Sequence, residues 1–137
     1  MSYSIDELID LWAHEFWDRR NYDIADKILA DDFVRRGPSG EYVGRDHYKQ
    51  FLRDQHLSFP DYHHEIVDRS VDHQRGKALL LFHCTGTFTG TAYGGFQPTG
   101  KRMDLHAMDL LTVRDGRIVS NHGMYDRLGL YKSLGVL

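Results

Sequence analysis

The sequence predicts an α+β domain, with helices in the first third and an antiparallel sheet in the remainder. Three observations carry this. Apolar residues recur at spacings of three and four through about Leu52, the period of a helix with one buried face. From Tyr62 onward the pattern changes to extended runs rich in β-branched, aromatic and aliphatic residues. Short turn signals separate those runs, so neighbouring strands are expected to pair antiparallel, the helices packing on the sheet.

Taken in order, Ser4 followed by Glu7 is a capping-box signature. Ile5, Leu8, Ile9, Trp12 and Phe16 then repeat at helical spacing, predicting a first helix from about Ile5 to Arg19. Asn21 can cap a second helix whose Ile24, Ile28 and Leu29 face inward, ending before "DDFV". "FVRRGPSGEYVG" reads as a strand and a Gly/Pro turn, and "GRDHYKQFLRDQHLSF" as a third helix with Tyr48, Phe51 and Leu52 on its apolar side. "YHHEIVDRSV", "KALLLFHCTGTFTG", "RMDLHAMDLLTV" and "RIVSNHGMYD" read as strands. "DHQRG" and "RDG" between them are short enough for hairpins, while "TAYGGFQPTG" is a longer loop.

With 137 residues, 41% hydrophobic and 27% charged, the chain fits one domain over residues 1–137 with a core of useful size. A formal charge of −3 without runs of like charge offers no electrostatic footprint for nucleic acid or an anionic membrane. A small molecule or another protein is the expected partner. Cys84 is the only cysteine, which excludes an intrachain disulfide. The start "MSYSIDELID" is polar and acidic, and no apolar run approaches the roughly 20 residues that span a bilayer. A cytoplasmic protein is expected.

A strongly curved sheet wrapped around three helices makes a cone, and its open end is a natural place for a small ligand. Trp12, Phe16, Trp17, Tyr42, Tyr48, Phe51, Tyr93 and Phe96 supply aromatic walls, although helical spacing alone also fits Trp12 and Phe16 as plain core. Tyr48 and Tyr93 bring hydroxyls that an apolar core does not need. A metal site is not expected, because His63 and His64 are adjacent and point to opposite faces of a strand, and no third ligand stands at a recognisable spacing. "YGGFQPTGK" precedes a strand and lacks the context of a phosphate-binding loop. No cofactor is therefore expected.

The carboxyl half resembles the SnoaL-like polyketide cyclases of the nuclear transport factor 2-like superfamily. The features that carry the resemblance are "TGTFTG", "PTGK", Asp109 in the following strand, "DGRI", a strand ending in Asp126, and "LGLYKSLG". Phe88 stands where many relatives have His, and "SNHG" replaces the common "EHW". The resemblance implies a cone-shaped fold, a deep apolar pocket and cofactor-independent acid/base chemistry by Asp126. It also implies a homodimer formed through the outer sheet face, which the apolar residues on both faces of "KALLLFHC" suit.

Hairpin register decides which groups accompany that carboxylate. With "DG" as a two-residue turn, His122 faces Asp109; with "RDG" as a three-residue loop, Asp126, Met124 and His122 lie beside Asp104, His106 and Met108. The second arrangement is favoured because it sets an imidazole near Asp126. The candidate catalytic residues are therefore Asp126, His106 and His122, with Trp12, Phe16, Tyr48, Phe51, Tyr93, Met108 and Met124 around the substrate. Asp126 is also a good N-cap for "RLGLYKSL". The expected activity is an aldol-type ring closure or isomerisation of a hydrophobic polyketide-like or terpenoid-like molecule. The alternatives are epoxide opening and a non-catalytic small-molecule carrier.

Overall fold

A computed structural model describes residues 2–137. Helix α1 (Ile5–Asp10) begins at the expected capping box: the Glu7 amide donates to Ser4 Oγ at 3.1 Å, and the Ser4 amide donates to Glu7 Oε1 at 3.0 Å. The helix then widens without a break into a π-helix, Leu11–Asp18. This differs from the uniform α-helix expected, and it brings Trp17 inward together with Trp12, Ala13 and Phe16. A 3₁₀ turn (Tyr22–Ile24) and a single turn of α2 (Ala25–Ile28) follow, and Asn21 makes no side-chain cap there. Leu29 already belongs to a strand, so the second helix is shorter than the sequence suggests.

Strands β1 (Leu29–Gly37) and β2 (Gly40–Val43) form a hairpin, and α3 (Arg45–Ser58) crosses to β3 (His63–Asp72), β4 (Lys77–Thr87), β5 (Arg102–Arg114) and β6 (Arg117–Tyr125). Helix α4 (Arg127–Ser133) closes the described chain, at the segment for which Asp126 reads as an N-cap. The six strands form one sheet in the order β2-β1-β6-β5-β4-β3. It is mixed rather than wholly antiparallel, because β1 runs parallel to β6. The α+β class and the curved sheet packed on helices stand.

The last hairpin follows neither simple register. Arg114 pairs with Arg117 across a two-residue turn in which Asp115 and Gly116 have φ of 53° and 72°, the conformation of a type I′ turn. The ladder then shifts between Thr112 and Val113, where Ser120 and Ile118 are their respective partners and Val119 is the extra residue. This bulge changes the opposing pairs by one, and even-numbered residues of β5 end up facing even-numbered residues of β6, with Met108 opposite Met124. The side chains grouped by the favoured register therefore do share a face.

Odd-numbered β5 residues from Met103 to Leu111 point into the concave side, along with Leu80, Phe82 and Cys84 of β4 and Asn121 and Gly123 of β6. They meet Leu8, Ile9, Trp12, Phe16, Tyr48 and Leu52 in one core. After β4, the loop is fastened to the end of α3 by amides of Gly90 and Thr91, each donating at 3.1 Å to Ser58 and Leu57 carbonyls. A Cβ at residue 90 would clash with the Leu57 carbonyl, so only glycine allows this close approach. This loop and α3 thereby frame the open end of the cone.

Candidate functional site

A cavity of about 60 Å³ lies between the concave sheet, the π-helix and α3. Its walls are chiefly apolar and aromatic, with Trp12, Trp17, Phe51, Phe82, Leu105 and Leu130 among them. Phe51, Gln55 and Tyr93 also line a second groove that runs outward past Tyr42, His47, Arg127 and Tyr131. That groove adjoins the cavity at these shared residues.

Besides Gln55, Tyr93 and Tyr125, two hydrogen-bonded polar groups interrupt the apolar lining. The first is built on three neighbouring strands: Arg35 of β1 is paired with Asn121 of β6, and Asp109 of β5 is paired with Gly123 of β6. Arg35 Nη1 donates to Asp109 Oδ1 at 2.9 Å and to Asn121 Oδ1, and Asn121 Nδ2 donates to the same Asp109 oxygen at 3.0 Å. All three residues are buried. Among the described residues, none donates a hydrogen bond to Asp109 Oδ2, and Asp109 is the one carboxylate that lines the cavity. Gly123 makes the contact possible, because a Cβ there would overlap Arg35 Nη1 and Asp109 Oδ1.

Tyr62, His64 and Cys84, on β3, β4 and the turn before them, form the second group. His64 Nε2 lies 2.9 Å from the Ala13 carbonyl of the π-helix, and Tyr62 Oη lies 3.1 Å from His64 Nδ1. A carbonyl only accepts, so Nε2 carries a proton. Burial pushes the His64 pKa down to about 4, which leaves the ring neutral near pH 7 with a lone pair on Nδ1. The Tyr62 hydroxyl accordingly donates to Nδ1. Burial also pushes the Tyr62 hydroxyl well above its ordinary pKa and the Cys84 thiol up to about 11.

Tyr22 and His56 repeat this arrangement: Tyr22 Oη is 2.7 Å from His56 Nδ1, and His56 Nε2 is 2.8 Å from the Trp17 carbonyl. Burial likewise lowers the His56 pKa to about 4. Neither residue lines the cavity. The two Tyr–His units thus hold the π-helix at two of its carbonyls, and one of them also faces the interior.

The profile of the SnoaL-like polyketide cyclase family matches residues 7–134. The chain belongs to that family. Among solved structures, the SnoaL-like chain is similar to a candidate SnoaL-like polyketide cyclase from Jannaschia sp. CCS1, with 18% identity over 97% of this chain and 92% of that one and a TM-score of 0.88. TsrD from Streptomyces laurentii is 19% identical over 97% and 96% of the two chains, with a TM-score of 0.85. A candidate polyketide cyclase from Bacillus cereus ATCC 10987 is 26% identical over 89% and 74%, with a TM-score of 0.71. These likenesses establish the cone fold of the family. No protein of curated function matches the chain.

The positions of this SnoaL-like chain expected to carry chemistry divide into two sets. Trp12, Phe51 and Tyr93 line the cavity, while Phe16 and Tyr48 lie in the core just behind it, fully buried. Tyr48 Oη accepts a hydrogen bond from Trp17 Nε1 at 2.8 Å. Asp126 is elsewhere. It leaves β6 and caps α4, its Oδ1 accepting from the Gly129 amide at 2.9 Å, and it is exposed to solvent. His106, His122, Met108 and Met124 share a face as the favoured register requires, but that face is the outer one. There Leu81, Met108 and Met124 form one cross-strand row and Leu79, Leu110 and His122 the next, beside stacked His83 and His106 rings. The physical reason for the misplacement is that the outer face is itself apolar, so alternation does not reveal which side is concave.

Among the described residues no three His, Cys, Asp or Glu side chains gather as metal ligands, and no helix is long and apolar enough to cross a membrane. Arg35, Asn121, Tyr62 and His64 were not singled out by sequence pattern as site residues. Asp109 had a signal, both as a family-matched position and as the partner of His122 in the alternative register.

Proposed function

We propose that the protein is a cyclase or isomerase that handles a hydrophobic, polyketide-like or terpenoid-like carbonyl compound inside the cone, with Asp109 as its acid/base. The observation that carries this is the single cavity-lining carboxylate, anchored through Oδ1 and free at Oδ2. Two fixed donors on one oxygen hold the carboxylate plane, so the other oxygen is presented to the substrate in a defined direction. In an aldol-type closure, Oδ2 removes a proton from a carbon flanked by carbonyls. The carbanion attacks a second carbonyl of the same molecule, forming the new carbon–carbon bond, and the resulting alkoxide takes the proton back from Asp109. The reaction as written consumes no cofactor. Apolar walls shield the carbanion from water and hold the two carbons close.

The test is hydrogen–deuterium exchange at the C1 position of 2-tetralone in D₂O, followed by NMR. The protein should accelerate exchange, and Asp109→Asn should remove typically a hundredfold or more of that acceleration. Binding of 2-tetralone with exchange no faster than in buffer would overturn the enzymatic reading and leave a carrier.

The exposed rows of Leu79, Met108 and Met124 on the outer face support a further part of the reading, a homodimer covering that face. Sedimentation should give a dimer at micromolar concentration, and Met124→Asp should yield a folded monomer. A wild-type monomer would refute it.

A further inference from the structure

From the Tyr62–His64 unit we infer that the cavity recognises a hydroxyl group, so that its ligand is a phenol, enol or alcohol as well as a carbonyl compound. The hydroxyl of Tyr62 has one proton, and His64 Nδ1 holds it at 3.1 Å because the other ring nitrogen is committed to the Ala13 carbonyl. Cys84 Sγ, at 3.6 Å, is the competing acceptor for that proton, and the shorter contact to Nδ1 takes it, which leaves the lone pairs of the hydroxyl oxygen free. A hydroxyl with its proton already spent can only accept. Tyr62 thus offers the cavity an acceptor, where an ordinary tyrosine would offer a donor.

The second Tyr–His unit is an internal comparison. Tyr22 and His56 make the same two bonds to the same helix, which is sufficient for a purely structural role, and they lie outside the cavity. The first unit has the added property of lining it. In the same cavity Asp109 Oδ2 is also a free acceptor, and the charge on Asp109 bears on both Tyr62 and His64. Two acceptors facing one apolar space are complementary to a ligand with two protons to offer, one on oxygen and one on oxygen or an acidic carbon. Resting on the reading of Asp109 as the proton-transfer group, the substrate class narrows to hydroxylated, enolisable compounds. Tyr62 positions the hydroxyl and Asp109 acts on the neighbouring C–H.

Calorimetric binding of 2-naphthol and 2-methoxynaphthalene to the full chain tests this, since the two probes differ in the presence of a donor. Wild type should favour the naphthol by about fivefold to tenfold, the value of one hydrogen bond. Tyr62→Phe should erase the preference while leaving the ether's affinity unchanged. If Tyr62→Phe does not fold, the ¹⁵N resonance of His64 Nδ1 in wild type serves instead, and it should move with naphthol and stay with the ether. Equal affinities, an unmoved His64 resonance, or a preference that survives Tyr62→Phe and vanishes in Asp109→Asn would each overturn the assignment. None of these depends on 2-tetralone exchange, so the two readings fail separately.

Discussion

Arg35 reaches Asp109 by passing over Gly123, the residue of the intervening strand that stands directly opposite Asp109. The ion pair is buried, with side chains exposed by 7% and 12%. Removing either partner strands the other charge, which typically costs about 3–5 kcal/mol. Arg35→Met and Asp109→Asn should each lower urea stability by that order. The double variant should lose clearly less than the sum, and additive losses would show that the pair is not coupled. If Asp109→Asn alone does not fold, the double variant carries the exchange assay.

Gly123→Ala should disrupt the same contact with a single methyl group. The backbone there is not in the left-handed region, so the penalty is steric, on the order of 1–3 kcal/mol as in other overpacked cores. Tetralone exchange should fall with it. A variant with wild-type melting and exchange would mean that the guanidinium has room to move aside.

Asp126 should behave as a cap and nothing more. Asp126→Ala should cost roughly 0.5–2 kcal/mol, and Asp126→Asn only a few tenths, because Asn caps a helix about as well. Both variants should keep full tetralone exchange. A large loss of exchange in a stable Asp126→Asn protein would return the chemistry to the end of β6.

Acid should loosen the fold through its buried imidazoles. His56 and His64 have native pKa values of about 4 against an ordinary value of 6.5. Between those values the unfolded chain binds more protons than the native one, so stability is full near pH 7 and declines as pH falls toward 4. For His64 the decline is on the order of 3 kcal/mol at most. Melting temperatures measured from pH 7 down to 4.5 should drop accordingly, and a flat profile would contradict the neutral, doubly bonded rings.

Much of the architecture was legible because local chemistry dictates it. Ser4 and Glu7 mark where α1 starts, the apolar stripe of Arg45–Ser58 marks α3, and Asp115–Gly116 marks a tight hairpin. Alternation also grouped His106, Met108, His122 and Met124 correctly on one face. Its sidedness was not legible, since a sheet with two apolar faces carries no local mark of curvature. The Arg35–Asp109–Asn121 group was hidden for a related reason. It needs β1 to lie parallel beside β6, a pairing between distant segments that no turn sequence encodes. Trp17 was legible as one of the cavity's aromatics, but the switch to a wider helical turn at Leu11 that carries it there was not.

That wider turn ties the cavity's shape to chain length. In a regular α-helix, residues five apart diverge by about 140° at 3.6 residues per turn. Here Trp12 and Trp17 meet edge to face with ring centroids 6.1 Å apart, and both line the cavity. Loss of a single residue within Leu11–Asp18 would rewind the segment, swing one indole away and move the carbonyls on which His56 and His64 hang. Insertions and deletions at this point are therefore a coarse control of what the cone admits. A lineage could change its ligand by one codon's length while leaving every residue of the sheet as it was.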